Sequence, residues 1–173
     1  LFAVVLMIAG CSDGPKLSPL TTSDTILAFG DSLTYGTGGR GTSYPSVLSA
    51  LTGLPVINAG IPGEISSRGL SRLPALLEKH RPKLLLLCHG GNDILRRLSR
   101  EDMKQNIESM VRMARDAGAE VVLIGVPEFS LFLSATEQHD AIAEQLGLPY
   151  ERDTLSTILK KPQLKSDQIH PNA

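Results

Sequence analysis

The chain has 173 residues and a formal net charge of −1, and 20% of its residues are charged. That length suits one domain with a single core, and the balanced charge gives no electrostatic reason to expect nucleic acid as a partner. Tryptophan is absent and aromatic residues make up only 4% of the chain, so we expect no stacking platform for bases. The four histidines are scattered, without His-Glu-x-x-His or Cys-x-x-Cys spacing, and we therefore expect no metal site.

The ten amino-terminal residues are apolar and uncharged. Such a stretch is too short to span a membrane but is typical of the hydrophobic part of a secretory signal, so we interpret residues 1–10 as a partial signal peptide. Ile8-Ala9-Gly10-Cys11 resembles a bacterial lipobox, which implies a lipid anchor on Cys11; an ordinary signal that contains a cysteine is the alternative. By analogy with Gram-negative lipoproteins, Ser12 favours an outer-membrane lipoprotein on the periplasmic side of the bacterial cell envelope. Residues 11–23 are then the lipidated cysteine and a flexible tether rich in Ser, Pro, Thr and Gly.

Short apolar runs alternate with helical patterns from residue 24 to residue 173, which we interpret as one domain. The predicted strands are residues 25–29, 56–59, 84–88, 120–125 and 148–151. The predicted helices are residues 44–51, 66–78, 100–117, 135–146 and 154–160. This alternation predicts a three-layer α/β/α sandwich with a five-stranded parallel sheet of flavodoxin-like type, covered on both faces. Active groups in such folds collect beyond the carboxyl ends of the strands.

A serine, an imidazole and a carboxylate stand where such a fold could join them. Ser32 follows the first predicted strand, and Asp167 and His170 lie three residues apart near the other end of the chain. A serine hydroxyl becomes nucleophilic when a base takes its proton and a third group orients that base. Ser32 is therefore the candidate nucleophile, His170 the base and Asp167 the orienting acid. A capped turn at Ser32, a surface His170 and a turn-capping Asp167 are the alternatives.

Two further segments follow the second and third predicted strands, Asn58-Ala59-Gly60 and Gly90-Gly91-Asn92-Asp93. Gly60 would let the main chain approach a substrate without a Cβ in the way, and Asn92 offers a neutral side-chain N–H donor. We expect an oxyanion hole made of the backbone N–H groups of Ser32 and Gly60 and the amide of Asn92. The alternative is that Gly60 and Asn92 are only turn residues.

These four segments, Phe29–Thr34, Asn58–Gly60, Gly90–Asp93 and Asp167–Asn172, resemble the four sequence blocks of the GDSL or SGNH hydrolase superfamily. They occur in that family's order, and the resemblance extends from about residue 25 to residue 173. It is closest to small arylesterases and to the acyl-thioesterase/lysophospholipase type, and it implies hydrolysis of carboxylic esters or thioesters through an acyl-serine. A polysaccharide O-acetyl esterase and a non-catalytic envelope lipoprotein are the alternatives. We also expect one more helix after His170-Pro171-Asn172.

The remaining conspicuous residues have structural interpretations. Gly36–Gly41 matches Gly-x-Gly-x-x-Gly, but the predicted strand ends well before it, so we interpret it as a loop beside the nucleophile and expect no dinucleotide or other cofactor. We assign Asp31 to loop scaffolding, as we do Asn58, and Asp93 to capping the segment that follows it. The apolar residues 127–134 fit either a wall of an acyl-binding groove or a cover over the core.

Overall fold

The computed structural model describes residues 15–128 and 134–172. The predicted signal segment, Cys11 and residues 129–133 of the apolar stretch lie outside these ranges. The strands are β1 (Ile26–Gly30), β2 (Val56–Gly60), β3 (Leu84–Cys88), β4 (Glu120–Ile124) and β5 (Tyr150–Glu151). They form one sheet in the order β2-β1-β3-β4-β5, and each neighbouring pair is parallel. The predicted α/β fold with a five-stranded parallel sheet is confirmed.

The described residues also form seven α-helices and a short 3-10 helix at Pro162–Leu164. They are α1 (Ser32–Tyr35), α2 (Tyr44–Thr52), α3 (Ser66–His80), α4 (Gly91–Leu95), α5 (Arg100–Asp116), α6 (Glu137–Leu146) and α7 (Thr154–Leu159). Helices α3, α5 and α6 pack side by side. An apolar groove of about 420 Å³ separates α2 from α7 above the sheet. The sequence analysis did not predict α1 and α4, which begin where β1 and β3 end.

The core forms around β1 in the middle of the sheet. All five residues of β1 are buried, which agrees with its unbroken apolar sequence. Helix α5 buries one stripe at helical spacing, and its members are Met103, Ile107, Met110, Val111 and Ala114. Full burial of a methionine, isoleucine or valine side chain stabilises the fold by roughly 1.5–3 kcal/mol. Because the central strand is fixed by this core, the residue that follows it has a well-defined position.

The described part of the predicted tether is attached to the amino edge of the sheet. The backbone N–H of Ser18 donates to the Glu120 carboxylate at 3.0 Å, and its hydroxyl donates to the same carboxylate at 2.6 Å. A turn between Thr21 and Asp24 then leads into β1. These contacts join Ser18 to the sheet and order the turn before β1, while the flexible tether over residues 11–23 stays a prediction. Among residues 15–128 and 134–172, no helix combines the length and apolar character needed to cross a bilayer.

Candidate active site

Ser32 is placed by a sharp strand-to-helix transition at the carboxyl edge of the sheet. It is the first residue of α1 and is separated from β1 only by Asp31. The Asp31 carboxylate caps the short helix by accepting the Leu33 N–H at 3.0 Å. Gly36 ends α1 in the left-handed region, at φ +95°. The serine is thus exposed to a partner from another loop while its backbone is held by the core.

The structure brings together the three residues of the predicted triad. The Ser32 Oγ lies 2.9 Å from His170 Nε2, although the two residues are 138 positions apart in the chain. On the other side of the ring, His170 Nδ1 lies 2.8 Å from Asp167 Oδ2. A carboxylate can only accept, so Nδ1 carries the proton and Nε2 is left to accept the serine O–H. This is the tautomer that removal of the serine proton requires.

Local hydrogen bonds hold the loop that carries His170. Asp167 Oδ1 accepts the backbone N–H groups of Ile169 and His170, both at 2.8 Å. The His170 carbonyl in turn accepts the Ser166 N–H at 2.9 Å. One carboxylate therefore shapes the loop with one oxygen and orients the imidazole with the other.

The pKa of Asp167 lies below its ordinary value. Burial acts to raise this pKa, but the hydrogen bonds from the His170 ring and from the two backbone N–H groups outweigh it. Asp167 is consequently ionised at neutral pH. In that form it can stabilise the imidazolium produced when His170 accepts a proton.

The glycine-rich loop after α1 packs against the His170 loop. Gly38 has φ +89°, and a Cβ built there would contact the Ser166 hydroxyl and would lie 2.7 Å from the Pro171 carbonyl oxygen. Only glycine allows this approach at a positive φ. The segment Gly36–Gly41 thus lies beside the nucleophile as predicted, and it supports the loop that holds the base.

Asn92 lies at the start of α4, and a buried carboxylate orients its amide. Asn92 Nδ2 donates to Asp31 Oδ2 at 3.0 Å, and Asp31 is only 2% exposed. Burial raises the pKa of Asp31. An amide NH₂ has two hydrogens, so one can point to Asp31 while the other remains available to a substrate oxygen. Asp31 therefore does more than the predicted loop scaffolding: it links the Ser32 turn to Asn92.

The structure does not support Gly60 as an oxyanion donor. Its backbone N–H donates to Asn58 Oδ1 at 3.0 Å and is therefore already engaged. A Cβ at this position would contact the backbone nitrogen of Tyr35, so the residue is glycine because α1 packs against it. Asn58 also donates to the Tyr35 carbonyl at 3.3 Å, in keeping with its predicted scaffolding role.

The turn after β2 offers a different N–H, which the sequence analysis missed. Residues Ile61–Glu64 form a β-turn closed by the Glu64 N–H and the Ile61 carbonyl at 3.2 Å, with Gly63 at φ +76°. Pro62-Gly63 is the central pair that a type II turn favours, and it was the available signal. Within the described residues, the Gly63 N–H makes no hydrogen bond. It is therefore free to bind an oxygen at the carboxyl edge of the sheet.

Asp93 caps a helix that precedes it in the chain, whereas we predicted that it caps the segment after it. Its two carboxylate oxygens accept the backbone N–H and the hydroxyl of Ser66, at 2.8 and 2.6 Å. Asp93 thus caps the start of α3 and not the segment after itself. β2 and β3 flank β1 in the sheet, so the segments that follow these two strands lie close enough for Asp93 to reach Ser66.

A serine hydroxyl bonded to an imidazole that is bonded to a carboxylate, at the carboxyl edge of a parallel sheet, defines a serine hydrolase. Residues 28–173 match the model of the GDSL-like lipase/acylhydrolase family, and the chain belongs to that family. The resemblance found in the sequence is confirmed, and the protein is a carboxylic ester hydrolase.

Named relatives and solved structures agree with this placement. The chain is 37% identical to "Esterase TesA" of Pseudomonas aeruginosa over 96% of its own length and 89% of the relative. It is 31% identical to "Thioesterase 1/protease 1/lysophospholipase L1" of Escherichia coli K12, over 87% of this chain and 76% of that protein. The crystal structure of AlinE4, an SGNH-hydrolase family esterase, superposes with a TM-score of 0.74 and 30% identity, over 90% of this chain and 89% of that one.

Within residues 15–128 and 134–172, no group of three or more His, Cys, Asp or Glu side chains is arranged to hold a metal ion.

Proposed function

We propose that the protein hydrolyses carboxylic esters and thioesters through an acyl intermediate on Ser32. The observation that carries this proposal is the 2.9 Å contact between Ser32 Oγ and His170 Nε2, in the tautomer set by Asp167. Membership of the GDSL-like lipase/acylhydrolase family supports the reaction class.

The reaction has two halves with balanced proton transfers. Ser32 Oγ attacks the substrate carbonyl carbon while His170 Nε2 takes its proton, and Asp167 stabilises the resulting imidazolium. The tetrahedral intermediate then collapses, and the imidazolium gives the proton to the departing alcohol or thiol. In the second half, His170 takes a proton from water, the oxygen of that water attacks the acyl carbon, and the proton returns to Ser32 as the carboxylic acid leaves.

The oxyanion of each intermediate requires hydrogen-bond donors. We assign them to the backbone N–H of Ser32, the backbone N–H of Gly63 and the side-chain amide of Asn92. The free N–H of Gly63 and the orientation of Asn92 by Asp31 support this set, in which Gly63 replaces Gly60. Each such donor contributes on the order of 100- to 1,000-fold to the rate.

The names of the relatives support the substrate classes. One is called an esterase, and another is called a thioesterase and lysophospholipase. We accordingly assign small carboxylic esters, acyl thioesters and lysophospholipids as substrates of this chain. A panel of acetyl to palmitoyl esters, acyl-CoA and acetylated glycan ranks these classes and tests the O-acetyl esterase alternative.

We further place the protein in the bacterial cell envelope, anchored through Cys11 as an outer-membrane lipoprotein. The apolar residues 1–10 and the small residues before Cys11 support this location. Metabolic labelling with an alkyne fatty acid tests it: Cys11→Ser should abolish the label, and labelling of that variant would contradict the anchor.

The catalytic proposal is tested by Ser32→Ala with Ser109→Ala as a control. Ser109 is partly exposed on α5, and within the described residues its hydroxyl donates only to the Gln105 carbonyl. Loss of the nucleophile should lower p-nitrophenyl acetate turnover by at least about 10⁴-fold and abolish labelling by a fluorophosphonate probe. Ser109→Ala should retain both. Undiminished turnover by pure Ser32→Ala protein would exclude the mechanism.

A further inference from the structure

A buried carboxylate lies behind the candidate oxyanion site. Glu64, the last residue of the turn after β2, is 6% exposed. Its Oε1 accepts Arg72 Nε at 2.7 Å, and its Oε2 accepts a terminal guanidinium nitrogen of Arg72 at 2.6 Å. This is the paired, two-bond geometry that makes arginine–carboxylate contacts directional.

The same carboxylate reaches the loop that carries Asn92. His89 Nε2 lies 3.2 Å from Glu64 Oε2, and His89 Nδ1 accepts the Gly90 N–H at 3.2 Å. Because Nδ1 accepts, the ring proton is on Nε2, which therefore donates to Glu64. Glu64 thus connects the turn after β2 to the first residue after β3.

Arg72 extends the connection to β1 and β2. Its terminal nitrogen donates to the Ala59 carbonyl at 2.8 Å and to the Gly30 carbonyl at 3.3 Å. Its guanidinium carbon lies 4.1 Å above the Phe29 ring, which fixes the plane of the group. Gly30 is the last residue of β1, two positions before Ser32.

The His89 ring packs against α3 at Gly69, where the helix has no Cβ. Gly69 lies inside α3, and a Cβ there would contact His89 Nε2 and lie 2.9 Å from its Cδ2. Glycine inside a helix costs about 1 kcal/mol relative to alanine. Helix α3 accepts that cost at the point where the imidazole fits against it.

His139 holds the other side of the His89 residue. Its Nε2 donates to the His89 carbonyl at 3.0 Å, and its Nδ1 accepts the Thr136 hydroxyl at 2.6 Å. Burial lowers the pKa of His139 to about 4, so the ring is neutral at physiological pH. His89 is consequently fixed through its side chain and through its backbone.

We propose that Glu64, Arg72 and His89 form a positioning unit that sets the distance between the three loops carrying Ser32, Gly63 and Asn92. A buried ion pair is a poor source of stability compared with apolar packing of the same volume. Its hydrogen bonds are directional, and here they reach Gly30, Ala59 and His89 at the ends of β1, β2 and β3. Displacement of a reacting group by about 1 Å can cost about 100-fold in rate. This inference rests on the proposed hydrolase function and assigns it three positioning residues.

The test compares Glu64→Gln with Glu108→Gln. Both glutamates are 6% exposed and both pair with an arginine, but Glu108 contacts Arg112 and Lys104 on α5, away from the strand ends. We expect Glu64→Gln to lower kcat for p-nitrophenyl acetate by about 10- to 100-fold with KM within about threefold. Glu108→Gln should change kcat by less than about twofold, whatever its effect on the melting temperature.

Two additional readouts separate positioning from simple stability. The rate of fluorophosphonate labelling should fall in parallel with kcat, because the phosphoryl oxygen occupies the same oxyanion position. The shape of the pH–kcat profile should not change, because Ser32, His170 and Asp167 are intact. His89→Gln can still offer an N–H to Glu64, so its kcat should be at least about fivefold higher than that of His89→Leu.

The results that would contradict the positioning unit differ from those that would contradict the hydrolase function. Turnover by Ser32→Ala would remove the hydrolase proposal. Full kcat in folded Glu64→Gln protein, with Ser32→Ala inactive, would overturn the positioning unit alone. A rise in KM without loss of kcat would overturn it as well. If Glu64→Gln does not fold, equal activity of His89→Gln and His89→Leu overturns it.

Discussion

The nucleophile and the base are held by different parts of the molecule. Ser32 follows β1, whose five residues are all buried in the centre of the sheet. His170 lies on a loop at the surface, between the short 3-10 helix and the end of the described chain. Its ring meets Ser32 at 2.9 Å, but its backbone is held by Asp167 and Ser166 from the same loop.

The two regions differ in how closely catalytic rate is coupled to the free energy of unfolding. Near Ser32, the groups that set geometry also belong to the core, so a substitution there changes both activity and the free energy of unfolding. In the His170 loop, geometry depends on a few local hydrogen bonds outside the core. Substitutions in that loop should therefore change kcat with little effect on stability.

Replacement of the base should give the largest effect on the loop side. We expect His170→Ala to lower kcat for p-nitrophenyl acetate by about 10⁴-fold, because Ser32 then has no proton acceptor. The melting temperature should stay within about 2 °C, since the ring belongs to the loop and not to the core. His80→Ala, at the end of α3, is the control and should behave like the parent. A large loss of stability in His170→Ala would break the contrast between the two regions.

A smaller effect should come from the glycine that supports the His170 loop. Gly38→Ala places a Cβ against Ser166 and the Pro171 carbonyl, and we expect kcat to fall by about tenfold as His170 moves from Ser32. Gly41→Ala is a matched control, because Gly41 has φ +93° in the same loop but nothing within 4 Å of its Cβ position. Both variants carry the strain of a positive φ, and only Gly38→Ala carries the contact. Equal kinetics for the two variants would contradict the support role.

The smallest effect should come from an ion pair that belongs to neither region. Hydrogen bonding from Arg152 holds the pKa of Asp140 below its ordinary value, against the opposing effect of burial. The ionised Asp140 carboxylate therefore stabilises the fold at neutral pH, and this contribution is lost as pH falls through its lowered folded-state pKa. Because both side chains are more than a third exposed, Asp140→Asn should cost less than about 1 kcal/mol at neutral pH and nothing near pH 2. Urea titrations at the two pH values measure this, with kcat unchanged; a cost that persists in acid would point to packing instead of charge.

Much of the fold could be predicted because apolar periodicity has a direct physical cause. The bounds of β3 agree with the prediction, β2 extends one residue further than predicted, and β1 is shifted by one residue. Helices α1 and α4 were missed because elements of four and five residues are too short to show a helical period. Their starts are set by strand ends and caps, which depend on the fold.

The site was predictable to the extent that its chemistry lies in short segments. Ser32, Asp167 and His170 were named from residue type and spacing, and the structure brings them together. The sequence analysis named Gly60, which follows the second predicted strand, and did not consider Gly63. The hydrogen bond that engages the Gly60 N–H is visible only in three dimensions.

The positioning unit gave no sequence signal of its own. Arg72 lies 8 residues from Glu64, and His89 lies 25 residues from it, so neither spacing belongs to a local motif. Their contact arises because β1 lies between β2 and β3, which no periodicity in a single sequence reveals.

Gly69 has a consequence for how the chain can diverge. Considered by helix propensity alone, replacement of this glycine in α3 by alanine would be expected to stabilise the helix. Its Cβ site is instead filled by the His89 ring, twenty positions later in the chain. Substitutions at the two positions are therefore coupled. Alanine fits at position 69 only when a side chain smaller than the imidazole stands at position 89.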